Sequence, residues 1–324
     1  MSPASSKMRL VRSSATLIGL AAVVFSHPAR ARADEKVTYL LPAPKEAIVL
    51  APFVLAETQG RYRKAKLDVR FVVVPGGFHV GEALARGEGD LGGASGDTPI
   101  LLRNANLPVK GVALLGHHSF LTLITRQGQP ATGQIDVPSL QDTSYYALQN
   151  LSAGSPHGEI TTRARPPAEL IKALSAGEID GFVGTVDWGV KAERAGVQVH
   201  YRPVDAFYPA MAQAIMASDT TIAARPKVVR KFVRATMQAL KQIAIDPEQS
   251  AGIYERAMPG SGYGHAEIVK IFRLLASQVY GTVEAAGRFN ARTVDAAQGE
   301  LIKRKLVTQR RDAGEFFTNA FTGQ

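Results

Sequence analysis

The sequence predicts an α/β fold in two lobes, each built on a mainly parallel sheet. The first sign is length: 324 residues exceed one small domain and suit two. The second is an alternation of short apolar, β-branched runs with longer runs of helical spacing. The third is composition: 45% hydrophobic against 20% charged suits globular packing and excludes disorder and fibrous repeats. The complete lack of cysteine excludes a disulfide framework, a thiolate metal site and a cysteine nucleophile.

The N-terminus reads as a targeting segment. Lys7, Arg9 and Arg12 precede an apolar run from Ala15 to Phe25; Pro28 then breaks it, and Ala31-Arg32-Ala33 supplies a small-x-small site. That is the pattern of a secretory signal peptide, residues 1–33, cleaved before Asp34. The apolar run is too short to cross a bilayer, so the mature chain is expected in the periplasm. Losing Lys7, Arg9, Arg12, Arg30 and Arg32 halves the formal net charge of +10. The denser patch at Lys303-Arg304-Lys305 and Arg310-Arg311 reads as a solvated terminal face, and no nucleic-acid partner is expected.

Along the mature chain, strands are expected at Val37–Leu41, Leu67–Val74, Asp90–Ala94, Val109–Leu115 and Phe120–Thr125. Helices are expected at Ala47–Glu57, closed by Gly60, at His79–Arg86, and after Ser95-Gly96-Asp97-Thr98-Pro99, where capping side chains meet a first-turn proline. A second unit follows Arg126. Its strands are Ile135–Val137, Ile160–Arg163, Ile179–Val183 and Val197–Tyr201; its helices start at Pro138-Ser139, Pro167 and Val186. The last third reads as helices without strands: Lys227–Ile245, Pro247–Ala257, Ala266–Val279 and Asn290–Lys305. The chain is expected to return near Pro209–Met216. This makes residues 34–126 and 213–324 lobe one and residues 127–212 lobe two.

Several segments together resemble one family. They are Ala51-Pro52-Phe53-Val54-Leu55-Ala56 before Gly60-Arg61-Tyr62, Leu67-Asp68-Val69, Pro75-Gly76-Gly77, and Glu82 through Asp90; Ala173 through Gly181 matches in the second unit. In this order and spacing the chain resembles the substrate-binding proteins of bacterial ABC importers for nitrate, sulfonates, taurine and thiamine precursors. Lys305-Leu306-Val307 is similar to the tail of the aliphatic-sulfonate branch. Two stretches, Gln127–Gln134 and Ser152–His157, are shorter than that family's pattern, and its usual Asp-Pro or Glu-Pro pair stands here as Asp187-Trp188. The resemblance implies a type II periplasmic binding protein with a ligand cleft at the hinge. It also implies a small-molecule ligand, a permease and an ATP-binding subunit as partners, a monomer, and no cofactor. The alternative is an enzyme on the same fold, such as a pyrimidine-precursor synthase of thiamine biosynthesis. The signal peptide and the lack of cysteine count against it, since relatives of that enzyme carry a cysteine-rich segment.

Such a cleft takes its ligand at helix N-termini, where backbone amides and the helix dipole favour anions. Ser95, Asp97 and Thr98 are the lobe-one candidates, equally readable as an ordinary cap. Asp97 sits badly beside an anion and suits an amine or a ring nitrogen. Ser139, Thr143 and Ser144 are the lobe-two candidates. Asp187 and Trp188 follow a strand at the end where open sheets place ligands. Lys45 follows the first strand and reads as either a cleft lysine or a solvated one. Neighbouring strand residues face opposite ways, so His117-His118 is not read as a metal site, and His118 is kept as a cleft candidate. Gly260-Ser261-Gly262-Tyr263-Gly264 lacks the Lys-Ser/Thr ending of a phosphate loop and reads as a plain loop.

Overall fold

The computed structural model describes residues 34–153, 159–282 and 287–322, together with Met1. The expected signal peptide lies outside the described residues, as does most of the Ser152–His157 stretch. The chain starts with β1 (Glu35–Leu41), α1 (Ala51–Thr58), α2 (Arg61–Lys64), β2 (Leu67–Val73), α3 (Gly77–Ala85), β3 (Leu91–Ser95), α4 (Thr98–Asn104) and β4 (Val109–Leu114). It continues through β5 (Thr122–Arg126), β6 (Gly133–Asp136), α5 (Thr143–Ala153), β7 (Ile160–Thr161), α6 (Pro167–Ala176), β8 (Gly181–Gly184), α7 (Val186–Arg194) and β9 (Val199–Pro203). It closes with β10 (Gln213–Ser218), α8 (Asp219–Ala224), α9 (Pro226–Ile245), α10 (Pro247–Ala257), α11 (His265–Leu275) and α12 (Ala291–Lys303).

Two five-stranded sheets result, ordered β2-β1-β3-β10-β4 and β7-β6-β8-β5-β9. In the first, β1 runs parallel to β2 and β3, while β10 runs antiparallel to β3 and β4. In the second, β6 runs parallel to β7 and β8, while β5 runs antiparallel to β8 and β9. Each sheet therefore has four strands pointing one way and a single reversed strand. The α/β class with mainly parallel strand direction is as expected.

Two expectations need correction. The strand expected at Phe120–Thr125 in lobe one is β5, and it is hydrogen-bonded between β8 and β9 of the second sheet. The first crossover thus falls before Thr122, not at Arg126. An apolar run announces a strand but not its partners, and these partners lie far along the chain. A strand at the expected return, β10, was also missed, and it lies between β3 and β4. All six of its residues, Gln-Ala-Ile-Met-Ala-Ser, are buried. A strand covered on both faces shows no alternation, and alanine and methionine give little strand signal.

Helices cover both faces of each sheet. Tyr39 of β1 stacks on Phe232 of α9 at 5.0 Å between ring centroids, and Phe53 of α1 lies 4.6 Å from Tyr39. Val229, Phe232, Val233 and Leu240 form the buried stripe of α9, as a period of 3.6 requires. On the other face Val80, Leu84, Leu102, Phe289, Val294 and Leu301 join α3, α4 and α12 to the sheet. In the second sheet α5 covers one face and α6 and α7 the other.

Candidate ligand site between the two sheets

The helix starts α4, α5 and α7 follow the carboxyl ends of β3, β6 and β8, and the structure brings these ends of the two sheets together. Asp97, only 5% exposed, precedes α4. Its carboxylate accepts a hydrogen bond of 2.8 Å from Thr143 Oγ1 at the start of α5. Thr98 is buried beside it. Asp187, 6% exposed, accepts from Thr185 Oγ1 and, at 2.7 Å, from Tyr263 Oη. Tyr263 belongs to the glycine-rich Gly260–Gly264 stretch, so this plain loop turns out to reach the other sheet's helix. Arg194 of α7 donates to the Gly262 carbonyl at 2.8 Å, and Lys270 of α11 pairs with Glu193 of α7.

The strands that lead to these helix starts also carry buried polar atoms without a protein partner. Ser95 Oγ, Tyr39 Oη and Thr122 Oγ1 are buried and unbonded among the described residues. Ser95 faces Gln213 across the β3–β10 pair. A side chain at Gly93 would meet Gln213 Nε2 at 2.7 Å and Tyr39 Oη at 2.9 Å, so glycine leaves this stretch of sheet open. Thr122 lies opposite Gly184, directly before Thr185. Buried hydroxyls are normally satisfied; Ser95 ends β3 and Thr122 pairs with the last residue of β8, at the strand ends where an open α/β sheet takes a ligand.

Electrostatics on the α5 side are set by acids. Burial raises the Asp142 carboxyl above its ordinary range; hydrogen bonds from the Ser144 side chain and backbone act against that, and the Asp97 charge adds to it. Burial and Asp187 together push the Tyr263 hydroxyl far up, so it stays protonated and donates to Asp187. Arg304 lies over the rings of Tyr146 and Tyr208, at 5.2 and 5.9 Å, and donates to the Tyr146 carbonyl at 2.9 Å.

Of the sequence candidates, Asp97 and Thr143 contact each other between the two units, with Ser95 and Thr98 beside Asp97 in the chain, and Asp187 makes a second contact between the units, with Tyr263. Ser144 is buried next to Thr143, with its hydroxyl turned back to Asp142. Ser139 does not start the helix: its Oγ accepts from Gln141 N at 3.1 Å in a local turn, and α5 begins at Thr143 because Asp142 accepts from Ser144 N at 3.0 Å. Lys45 pairs with Glu57 and lies 4.8 Å over the Phe71 ring, on the α1 side. Trp188 packs 6.4 Å from Phe182 and against Gly184, in the layer of α6 and α7. His118 Nδ1 donates to Asp205 at 2.7 Å at the crossover. There it lines a cavity of about 420 Å³ with His117, Met211, Arg288 and Arg292. Tyr39, Thr122 and Gln213 carried no site signal in the sequence, since each sits inside a strand and reads as core.

The comparisons agree with this architecture. The E. coli periplasmic aliphatic sulphonate binding protein SsuA superposes with a TM-score of 0.67 at 16% identity, covering 87% of this chain and 91% of its own. The periplasmic nitrate-binding protein NrtA of Synechocystis PCC 6803 gives 0.67 at 13% identity, covering 89% and 87%. The riboflavin-binding protein RibY of Chloroflexus aurantiacus is 26% identical over 179 residues, 52% of this chain and 51% of RibY. The chain thus spans about half the length of that curated relative. The family model described as NMT1/THI5 like matches residues 47–137 and 161–250, which include strands of both sheets and the starts of α4 and α7. The chain belongs to the NMT1/THI5-like family.

Proposed function

We propose that this chain is the solute-binding component of an ABC import system. It captures a small organic solute, of the sulfonate, taurine or nitrate kind or a related one, between its lobes. It then delivers the solute to a membrane permease driven by an ATP-binding subunit, and it catalyses no reaction. The observation that carries this reading is the set of buried, unbonded hydroxyls of Tyr39, Ser95 and Thr122 where the strand ends of both sheets meet. Residues 34–121 and 213–322 serve as one lobe and 122–212 as the other. The ligand set is Ser95, Asp97, Thr98, Thr143, Ser144 and Asp187, with Tyr39, Thr122 and Gln213 added. The mature protein starts at Asp34 and works in the periplasm. Closure follows from contacts made by both lobes, because only solute affinity that differs between open and closed states shifts their populations.

The RibY relative favours a second ligand, a flavin. The test is a titration with sulfonates, taurine, nitrate and riboflavin, read by calorimetry and small-angle scattering. One of these is expected to bind in the micromolar range or tighter and to shrink the radius of gyration. If none binds and none changes the scattering, the reading falls.

A further inference from the structure

The buried charges at the strand ends all have one sign. Among the described residues, the charged side chains that are fully buried are Asp97, Asp136 and Asp187. Asp136 has an ion-pair partner, Arg165, at 2.6 Å. Asp97 and Asp187, one in each lobe, have none: their recorded partners are the hydroxyls of Thr143, Thr185 and Tyr263. Arg304, which comes to the Asp97 side, ion-pairs with Glu300 of its own helix. Lys191, which comes to the Asp187 side, stands 4.7 Å over the Tyr263 ring. Lys45, the lysine closest in sequence to the end of β1, is held by Glu57.

A buried carboxylate is stable only when paired and hydrogen-bonded. A sulfonate or nitrate placed beside Asp97 or Asp187 would add a negative charge next to a buried carboxylate that has no ion-pair partner, with the partly buried Arg304 as the nearest opposing charge on the Asp97 side. A cationic nitrogen would instead form charge-assisted bonds to the carboxylates. The unbonded oxygens of Tyr39, Ser95 and Thr122 are free to accept hydrogen bonds from N–H donors.

We propose that the cleft selects a small organic cation, an ammonium- or guanidinium-bearing solute, with Asp97 and Asp187 as its two specificity-determining residues. This rests on the solute-binding reading above and narrows it. The test compares the wild-type protein with Asp97→Asn, which keeps an acceptor for Thr143 and removes the charge, and with Asp187→Asn, which removes the charge and keeps one of the two oxygens that accept from Thr185 and Tyr263. Melting curves and calorimetry are run with putrescine, agmatine and taurine against isethionate and nitrate. Taurine and isethionate share a sulfonate and differ in the ammonium group. Putrescine or agmatine is expected to raise the wild-type midpoint by several degrees, taurine to exceed isethionate, and each Asn variant to bind the cation about tenfold more weakly or worse. Binding of isethionate or nitrate with cations silent overturns the charge selection and leaves the solute-binding reading standing. Cation binding that both Asn variants retain overturns the assignment of the two residues. Silence toward every compound here and in the titration above overturns both readings.

Discussion

Asp142 shows how one side chain serves two demands. It caps α5 through Ser144 N, yet it is buried near Asp97, and its carboxyl is raised for that reason. A raised folded-state value means that the protonated form favours the fold. The stabilising contribution is therefore complete below the ordinary aspartate range and is lost as pH climbs through the raised value. Asparagine caps a helix as well as aspartate does and carries no charge. Asp142→Asn is expected to melt on the order of 2 °C above wild type at pH 7, with the gap closing towards pH 3. A gap that stays constant with pH would mean that charge is not the cause. The positions of Asp97, Thr98, Thr143 and Asp187 at helix starts were legible because capping residues mark such starts in a sequence. Tyr39, Thr122 and Gln213 were not, because alternation along a strand says which residues are buried and not which buried oxygen lacks a partner.

At the level of elements, α9 ties the C-terminal third to the first sheet. Phe232 is the centre of that contact, stacked 5.0 Å from Tyr39 and 4.9 Å from Tyr62, while Tyr62 Oη and Thr236 Oγ1 share a buried hydrogen bond of 2.8 Å. Phe232→Ala is expected to destabilise the protein by about 3–5 kcal/mol, read as a shift in the urea midpoint. A loss below about 1 kcal/mol would show that the site collapses around the gap. The helix itself was plain in the sequence, since its apolar residues recur at three and four. Its docking partner was not, because periodicity gives a face and leaves the surface opposite unnamed. The same limit misplaced β5 and concealed β10.

On the scale of the whole molecule, the lobes are joined both by bonds between polar groups and by an apolar seam, since Val186 and Val190 of α7 share the buried core of α10 and α11. Asp97 with Thr143, Asp187 with Tyr263, and Arg194 with Gly262 all cross from one lobe to the other. Such bonds net about 1 kcal/mol each, small enough for a solute to outweigh them. Tyr263→Phe removes the donor and leaves Asp187 buried with one bond fewer. The free protein is expected to open, with a larger radius of gyration by small-angle scattering and about a threefold to tenfold weaker solute affinity. An unchanged radius would place the closing force elsewhere.

The reversed strand in the middle of the first sheet also governs when that sheet can exist. β3 and β4 do not touch as neighbours; β10 separates them and hydrogen-bonds to both. A growing or threading chain therefore carries β1 to β4 for a long interval with a gap between two exposed strand edges. The second sheet has no such debt, since its five strands all lie between Thr122 and Pro203. Connectivity alone thus sets an order of assembly, the inner lobe first. The outer lobe closes around it only once Gln213–Ser218 has arrived.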